Sequence, residues 1–440
     1  MAVDPRAAPA SRGAARQPSA ALPSTLGVYA SLVRLSTVVG LVAGLGGGLL
    51  ALIAAGLGWP LGGRWLALTH AHGQAQLLGF VALLILAAGS LLFPRFLLSP
   101  LVDGPRLVLA GRSLALGVML RVTGELLPPG PIRATLLASS AAFVPLGIGT
   151  ALWVMARVRR RSLQPFDLWQ RFGVVGFTSF GAAGLLNAWV SLDRAFGVLG
   201  SPPLLDRVVL ELELWGFVVS VTLAVAIKIF PRFLILRDGH SRIFMPALGC
   251  YGAGCALVIL GWLGDGWISI GIDPWVWLRG AGAFVRLLGI LTFMAGLRCF
   301  EPALRESGTP HITNPTRLWI RIGYGWLVVG AVLPLAETLD PSASRHAVAT
   351  GYLLPLIAAM AGRMLPVVSA DAQRWRWVLP ALIWPLFLGA SMRVIGLVGG
   401  GYQAGTVVLV LIGGSISTIA ATALLVWLLA STWRAPLRAS

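Results

Sequence analysis

Apolar runs separated by short loops rich in Gly, Pro and Arg recur along almost the whole chain. Each run is close to the roughly 20 residues that a helix needs to cross the hydrocarbon core of a bilayer. They predict twelve spanning helices, over residues 36–58, 66–93, 107–127, 136–156, 168–191, 205–230, 243–263, 275–297, 318–337, 346–366, 378–397 and 407–429. Ahead of them, residues 1–24 are mostly Ala, Pro, Arg and Ser with no continuous apolar core. That composition reads as a disordered tail and not as a cleavable signal peptide. The expected organisation is an N-terminal tail over 1–27, an all-α membrane domain over 28–432 and a C-terminal tail over 433–440.

Composition agrees, because a chain that is 57% hydrophobic and 11% charged has too little polar surface to coat a soluble globule. The net charge of +18 would suggest nucleic acid in a soluble protein. Here the arginines instead alternate between loops. Arg6, Arg12 and Arg16 precede the first span; Arg95, Arg106 and Arg112 flank the next loop on that side; Arg157, Arg159, Arg160 and Arg161 follow the fourth span. Lys228, Arg232, Arg237 and Arg242, then Arg298, Arg305 and Arg317, then Arg374 and Arg376, and finally Arg434 and Arg438 continue the series. The other loops hold isolated arginines such as Arg64, Arg133, Arg194, Arg207 and Arg345. The positive-inside rule then puts both termini in the cytoplasm, with even-numbered spans running from outside to inside. The lipid bilayer is the partner this implies, and nucleic acid is not. Cys250, Cys255 and Cys299 fall in or beside apolar spans without metal-ligand spacing, so they read as buried, inert thiols.

An internal repeat organises the spans. The second, sixth and tenth each carry a glycine followed 15 residues later by a proline: Gly79 and Pro94, Gly216 and Pro231, Gly351 and Pro366. A further 23 residues on comes Gly117, Gly254 or Gly389, and seven later Gly124, Gly261 or Gly396. The copies are offset by 137 and 135 residues, or four spans. Units with an even number of spans share one orientation, unlike the inverted repeats of many transporters. The expected fold is therefore three parallel four-helix repeats, over about 28–164, 165–314 and 315–432, in a pseudo-threefold bundle.

The repeat also aligns the polar residues. Five places before the anchor glycine stand Gln74, Glu211 and His346; seven before, His72, Val209 and Ser344; nine before, His70, Arg207 and Ser342. Polar groups at membrane depth are costly and mark sites or bundle interiors. At about 100° per residue, His70 and Gln74 share a face, and His72 and Gln76 take roughly the opposite one. One imidazole from the second span and one from the tenth could meet across a bundle pore as the two axial ligands of a haem. Depth favours His72, which differs from His346 by about 3 Å, against about 6 Å for His70; helix face favours His70. Both helix-2 histidines stay open, as does the plainer reading of interfacial residues that bond to loops or headgroups. His240 and His311 fall in loops and read as surface residues. Arg121 and Arg393 each follow an equivalent glycine by four residues, and Arg286 sits in a similar frame one span later. A buried guanidinium wants a bidentate anion, either a haem propionate or a carboxylate such as Glu125, Glu211 or Glu213.

The segment from His70 through His72, Gln74, Gly79 and Phe80 to Phe93-Pro94-Arg95 resembles the NnrS family, as does Arg345-His346 through Gly351-Tyr352 to Arg363-Met364-Leu365-Pro366. The resemblance implies a twelve-helix, haem- and copper-containing bacterial protein of the cytoplasmic (inner) membrane, linked to nitric oxide stress. More distantly it implies similarity to subunit I of haem-copper oxidases. Haem b is the implied cofactor, with His72 or His70 and His346 as ligands, Gln74 beside them and Arg121 or Arg393 near the propionates. Gln74 stands where the family has a second helix-2 histidine, and the sixth and seventh spans lack the histidines of an oxidase copper site. A terminal oxidase or nitric oxide reductase is therefore not expected, and copper has no supporting ligand pattern. Two other classes remain: a transporter or channel with Gln74, Glu211, Glu213 and His346 along a polar path, and a non-catalytic assembly factor for a respiratory complex.

Overall fold

The computed structural model describes residues 21–59, 63–197, 205–234, 236–237, 239–265, 274–302, 315–336, 341–369, 372, 377–400, 402–403 and 405–433. Among them there is no strand, and twelve helices are long and apolar enough to cross a membrane. They are α1 Thr25–Gly56, α2 Ala67–Leu97, α3 Gly104–Leu126, α4 Pro131–Arg160, α5 Leu168–Phe196 and α6 Leu205–Phe233, followed by α7 Ser241–Asp265, α8 Pro274–Leu297, α9 Thr316–Leu335, α10 Pro341–Pro366, α11 Val378–Val398 and α12 Val407–Trp433. The count agrees with the apolar pattern. The first helix differs from expectation, since helical structure already begins at Ala21, fifteen residues ahead of Ser36 and inside the stretch read as a tail. His311 and the arginines at 6, 12, 16, 305, 374, 376, 434 and 438 lie outside the described residues.

Burial separates the helices into two classes. In their most apolar windows α2, α6 and α10 are 78, 78 and 61% buried, against at most 56% for any other helix. These three, the ones that carry the anchor glycines, are therefore the interior helices, and the others present more side chain outward. All three also leave α-helical geometry at the same register. Wide π turns cover Ala75–Ala82, Leu212–Val219 and Ala347–Leu353, each starting four residues before Gly79, Gly216 or Gly351. A π turn inserts a residue into the hydrogen-bond ladder and rotates the rest of the helix about its axis; such turns are frequent at functional sites.

The glycines downstream of the anchors have a mechanical role. A Cβ on Gly117 would lie 2.8 Å from the Val144 nitrogen of α4, and one on Gly389 would lie 2.7 Å from the Ser417 nitrogen of α12; Gly254 meets the backbone of Arg286 on α8 in the same way. α3, α7 and α11 thus pack backbone to backbone on α4, α8 and α12, the close approach that small residues permit in membranes.

The arginine-rich face is pinned by two ion pairs, Arg157–Asp103 at 2.5 Å and Lys228–Asp167 at 2.6 Å. Asp167 also caps α5 by accepting from the Leu168 N–H. Burial pushes its carboxyl up, but the Lys228 ammonium and the cap bond together hold it below the usual carboxylate range. Its contribution is complete above that range and is lost as pH falls through the depressed value.

Gly389→Leu is expected to separate α11 from α12 and to cost at least the 1–3 kcal/mol typical of overpacking, about that for a side chain and more against backbone. Leu388→Ala, at the exposed neighbouring position, is the control. Thermal unfolding of both variants in detergent checks this, and equal melting temperatures would contradict the interlock.

Candidate functional site

A cavity of about 350 Å³ opens at the end of the bundle opposite the arginine-rich loops, and His70, His72 and His346 all border it. α2 and α10 supply the histidines, α11 supplies Arg393, and Tyr402 comes from the loop before α12. Its deeper wall is apolar, formed by Leu45, Leu77, Phe80, Leu354 and Leu425 among others. The rings of Trp65 and Tyr402 meet edge to face at 5.3 Å on its polar side.

The hydrogen-bond partners of the two helix-2 histidines give them different chemistry. His72 Nδ1 stands 2.7 Å from the Gly44 carbonyl of α1. A carbonyl only accepts, so Nδ1 carries the proton and the Nε2 lone pair is left for a ligand. A backbone carbonyl holding the far nitrogen is also how metal-binding imidazoles are commonly oriented. His70 Nδ1 instead stands 2.7 Å from Arg194 Nη2. Arginine only donates, so here Nδ1 accepts and Nε2 carries the proton. Asp206 lies 3.7 Å from the same ring. Space for His72 comes from α1: a Cβ on Gly48 would fall 2.7 Å from His72 Cε1, and one on Gly44 would fall 2.9 Å from Gln76 Nε2. The opposed faces expected for His70 with Gln74 and for His72 with Gln76 are thus realised as two different neighbourhoods.

His70 and Gln74 belong to a buried ion cluster between α2, α3, α5 and α6. Asn187 Nδ2 donates to Gln74 Oε1 at 2.7 Å and to Glu213 Oε1 at 3.4 Å, while Gln74 Nε2 donates to Glu213 Oε2 at 3.4 Å. Arg121 donates to Asn187 Oδ1 and lies 3.7 Å from both Glu125 and Asp206. Arg194 pairs with Glu125 and Asp206. Glu213 is 0% exposed and Arg121 2%, so these charges are held out of water and depend on one another. Asn187, Arg194 and Asp206 are not legible in the sequence as members: Arg194 and Asp206 look like loop-end residues and Asn187 is a lone amide in an apolar run.

The three residues at the equivalent position five before the anchor glycine end differently. Gln74 bonds within the ion cluster. Glu211 pairs with Arg286 at 2.7 Å, and that guanidinium lies 4.0 Å over the Trp215 ring. His346 faces the cavity. Glu211 and Glu213 are absent from the cavity lining, which takes Asp206, Leu210 and Leu214 from α6 instead. The equivalent arginines also diverge. Both have a buried Nε without a hydrogen-bond partner, but Arg121 is matched by carboxylates, whereas Arg393 has Tyr402 as its polar neighbour.

Among the described residues no group of three or more His, Cys, Asp and Glu side chains is arranged to hold a metal ion. The three cysteines are free thiols, two of them buried. His240 is exposed and contacts Arg298, as expected for a surface residue. No protein-family model matches the chain, and no curated protein matches it in sequence.

Arg121→Met leaves Glu125 and Asp206 short of a cation and is expected to cost about 3–5 kcal/mol, the usual penalty for breaking a buried pair. Adding Glu125→Leu should recover part of that loss. Unfolding in SDS of the two singles and the double gives the coupling, and strict additivity would show that the cluster is not an interacting unit.

Proposed function

We propose that this chain is a haem-binding polytopic membrane protein of the kind its resemblance to the NnrS family implies. The observation that carries the reading is the convergence of His72 and His346, from α2 and α10, on one cavity, with the Gly44 carbonyl leaving His72 Nε2 available. The residues fit a haem b. The two imidazoles would hold the iron, the apolar wall would cover the macrocycle, and the unpartnered Arg393 Nε with Tyr402 would receive the carboxylates. Haem bound in this way supplies one-electron chemistry at its iron.

The protein's own part is to orient and shield. Gly44 fixes the ring of His72, and Gly48 gives it room. His70 stays with Arg194 and Asp206, where its Nδ1 lone pair is already used. This reading prefers His72 to His70 as the helix-2 ligand and Arg393 to Arg121 as the propionate partner. With the arginine-rich face in the cytoplasm, both termini are cytoplasmic and the cavity lies at the outer side of a prokaryotic inner membrane. The role is in the response to nitric oxide or in respiratory redox chemistry. α6 and α7 contain no histidine, so the chain lacks the copper ligands of an oxidase, and copper is not part of this reading.

Reduced-minus-oxidised spectra and pyridine haemochrome assays on protein expressed with ample haem form the test. A Soret band is expected in the wild type, with loss of at least tenfold in bound haem for His72→Ala and for His346→Ala. Gly48→Leu should do the same by displacing the His72 ring. His70→Gln should retain haem. No Soret band in the wild type overturns the reading and favours a transport path or an assembly role instead; haem that survives His346→Ala overturns the ligand pair.

A further inference from the structure

Where α3 begins and α4 ends, on the arginine-rich side, the two helices share a lateral strip that is polar at its rim and apolar further along. Trp153 of α4 is 43% exposed, and the guanidinium groups of Arg106 and Arg157 lie over its ring, 5.0 and 4.8 Å from the centroid. Arg157 follows Trp153 by four residues, so the two are neighbours on one face of α4. Leu146, seven residues before Trp153, returns to that face at about 100° per residue, and Leu109 lies three residues beyond Arg106 on α3. Both leucines are exposed.

The charges on this strip do not balance. Arg157 bonds Asp103 at 2.5 Å, while Arg106 stands 4.0 Å from the same carboxylate oxygen, beyond hydrogen-bond reach. Among the described residues Arg106 makes no hydrogen bond to any other acceptor. A guanidinium does not lose its proton in a protein, so one carboxylate faces two permanent cations. Arg159, Arg160 and Arg161 add three more at the end of α4.

We propose that the strip is a binding site for an anionic phospholipid, whose phosphodiester is received by Arg106 and Arg157 and whose acyl chains lie along Leu109 and Leu146. A guanidinium matches a phosphate in charge and in its fork of donors. Basic groups at the membrane surface attract anionic headgroups, and indole settles at headgroup level. Here the Trp153 ring also holds both guanidiniums at the flank of the bundle by cation–π attraction. An acidic soluble partner fits less well, because the donors stand beside exposed leucines on the side of the helices. The site makes no use of the histidine cavity and stands whether or not haem is bound.

The test places the full chain in nanodiscs of equal parts phosphatidylglycerol and phosphatidylcholine and identifies the retained lipids by native mass spectrometry. Phosphatidylglycerol is expected to be retained in preference by the wild type. Arg106→Gln should lower its retention about fivefold, and adding Arg157→Gln should lower it about fivefold again. Asp103→Asn should raise retention by removing the competing carboxylate; asparagine tolerates the left-handed backbone that Asp103 adopts at φ 55°. Arg171→Gln removes a charge at the start of α5 whose guanidinium meets Met245, and it should change nothing. Should the double variant fail to fold, Arg106→Gln and Asp103→Asn carry the test, with opposite signs. Equal retention of the two lipids overturns the proposal, as does a fall in Asp103→Asn. Equal losses in Arg106→Gln and Arg171→Gln also overturn it by showing diffuse attraction only, and displacement by inorganic phosphate does so by showing that a free anion suffices.

Discussion

The bilayer offers no water to a polar group, and the rest of this structure depends on that lack. Backbone groups must bond within their own helices, which is why twelve helices and no strand are found among the described residues. Charges must find partners within the protein, and apart from Arg393, whose polar neighbour is Tyr402, the buried ones described above do so in sets. Arg121, Arg194, Glu125, Asp206 and Glu213 form one set across α3, α5 and α6; Arg286 and Glu211 form another between α6 and α8. The first set ties α3, α5 and α6 together, while backbone interlocks at Gly117, Gly254 and Gly389 tie α3 to α4, α7 to α8 and α11 to α12.

Much of this architecture can be read from the chain. Apolar runs mark the twelve spans because length and hydropathy are set by bilayer thickness, which is the same for every span. Glycine spacing locates the interlocks because nothing larger than hydrogen fits between two backbones in contact. The start of α1 is not legible because Ala21 to Leu35 contains Ser, Thr and Arg that dilute its apolar character, although helix formation tolerates them. Sequence spacing does not choose between His70 and His72. Depth and helix face point to different residues, and the distinction rests on whether a carbonyl or a guanidinium meets Nδ1, which only tertiary placement decides. The π turns are equally hidden, since Gly79, Gly216 and Gly351 sit in sequences that would also form an ordinary α-helix.

α2, α6 and α10 share one sequence spacing but carry unlike contents. The position five residues before the anchor supplies an amide, a carboxylate and an imidazole, and each has recruited neighbours that match its chemistry. Gln74 joins an amide and carboxylate cluster, Glu211 takes a guanidinium, and His346 is left facing open space. The shared spacing puts the three residues at one register, and their side chains decide which neighbours each one takes.

α1 contributes no polar side chain to the histidine cavity; beside the apolar Leu45 and Ala51 it offers a carbonyl and two glycines that leave room. In a genetic screen, alleles at Gly48 would therefore phenocopy loss of His72, although they alter no chemically active group. A map of such alleles would trace the shape of the site through a helix that an inventory of functional groups would pass over.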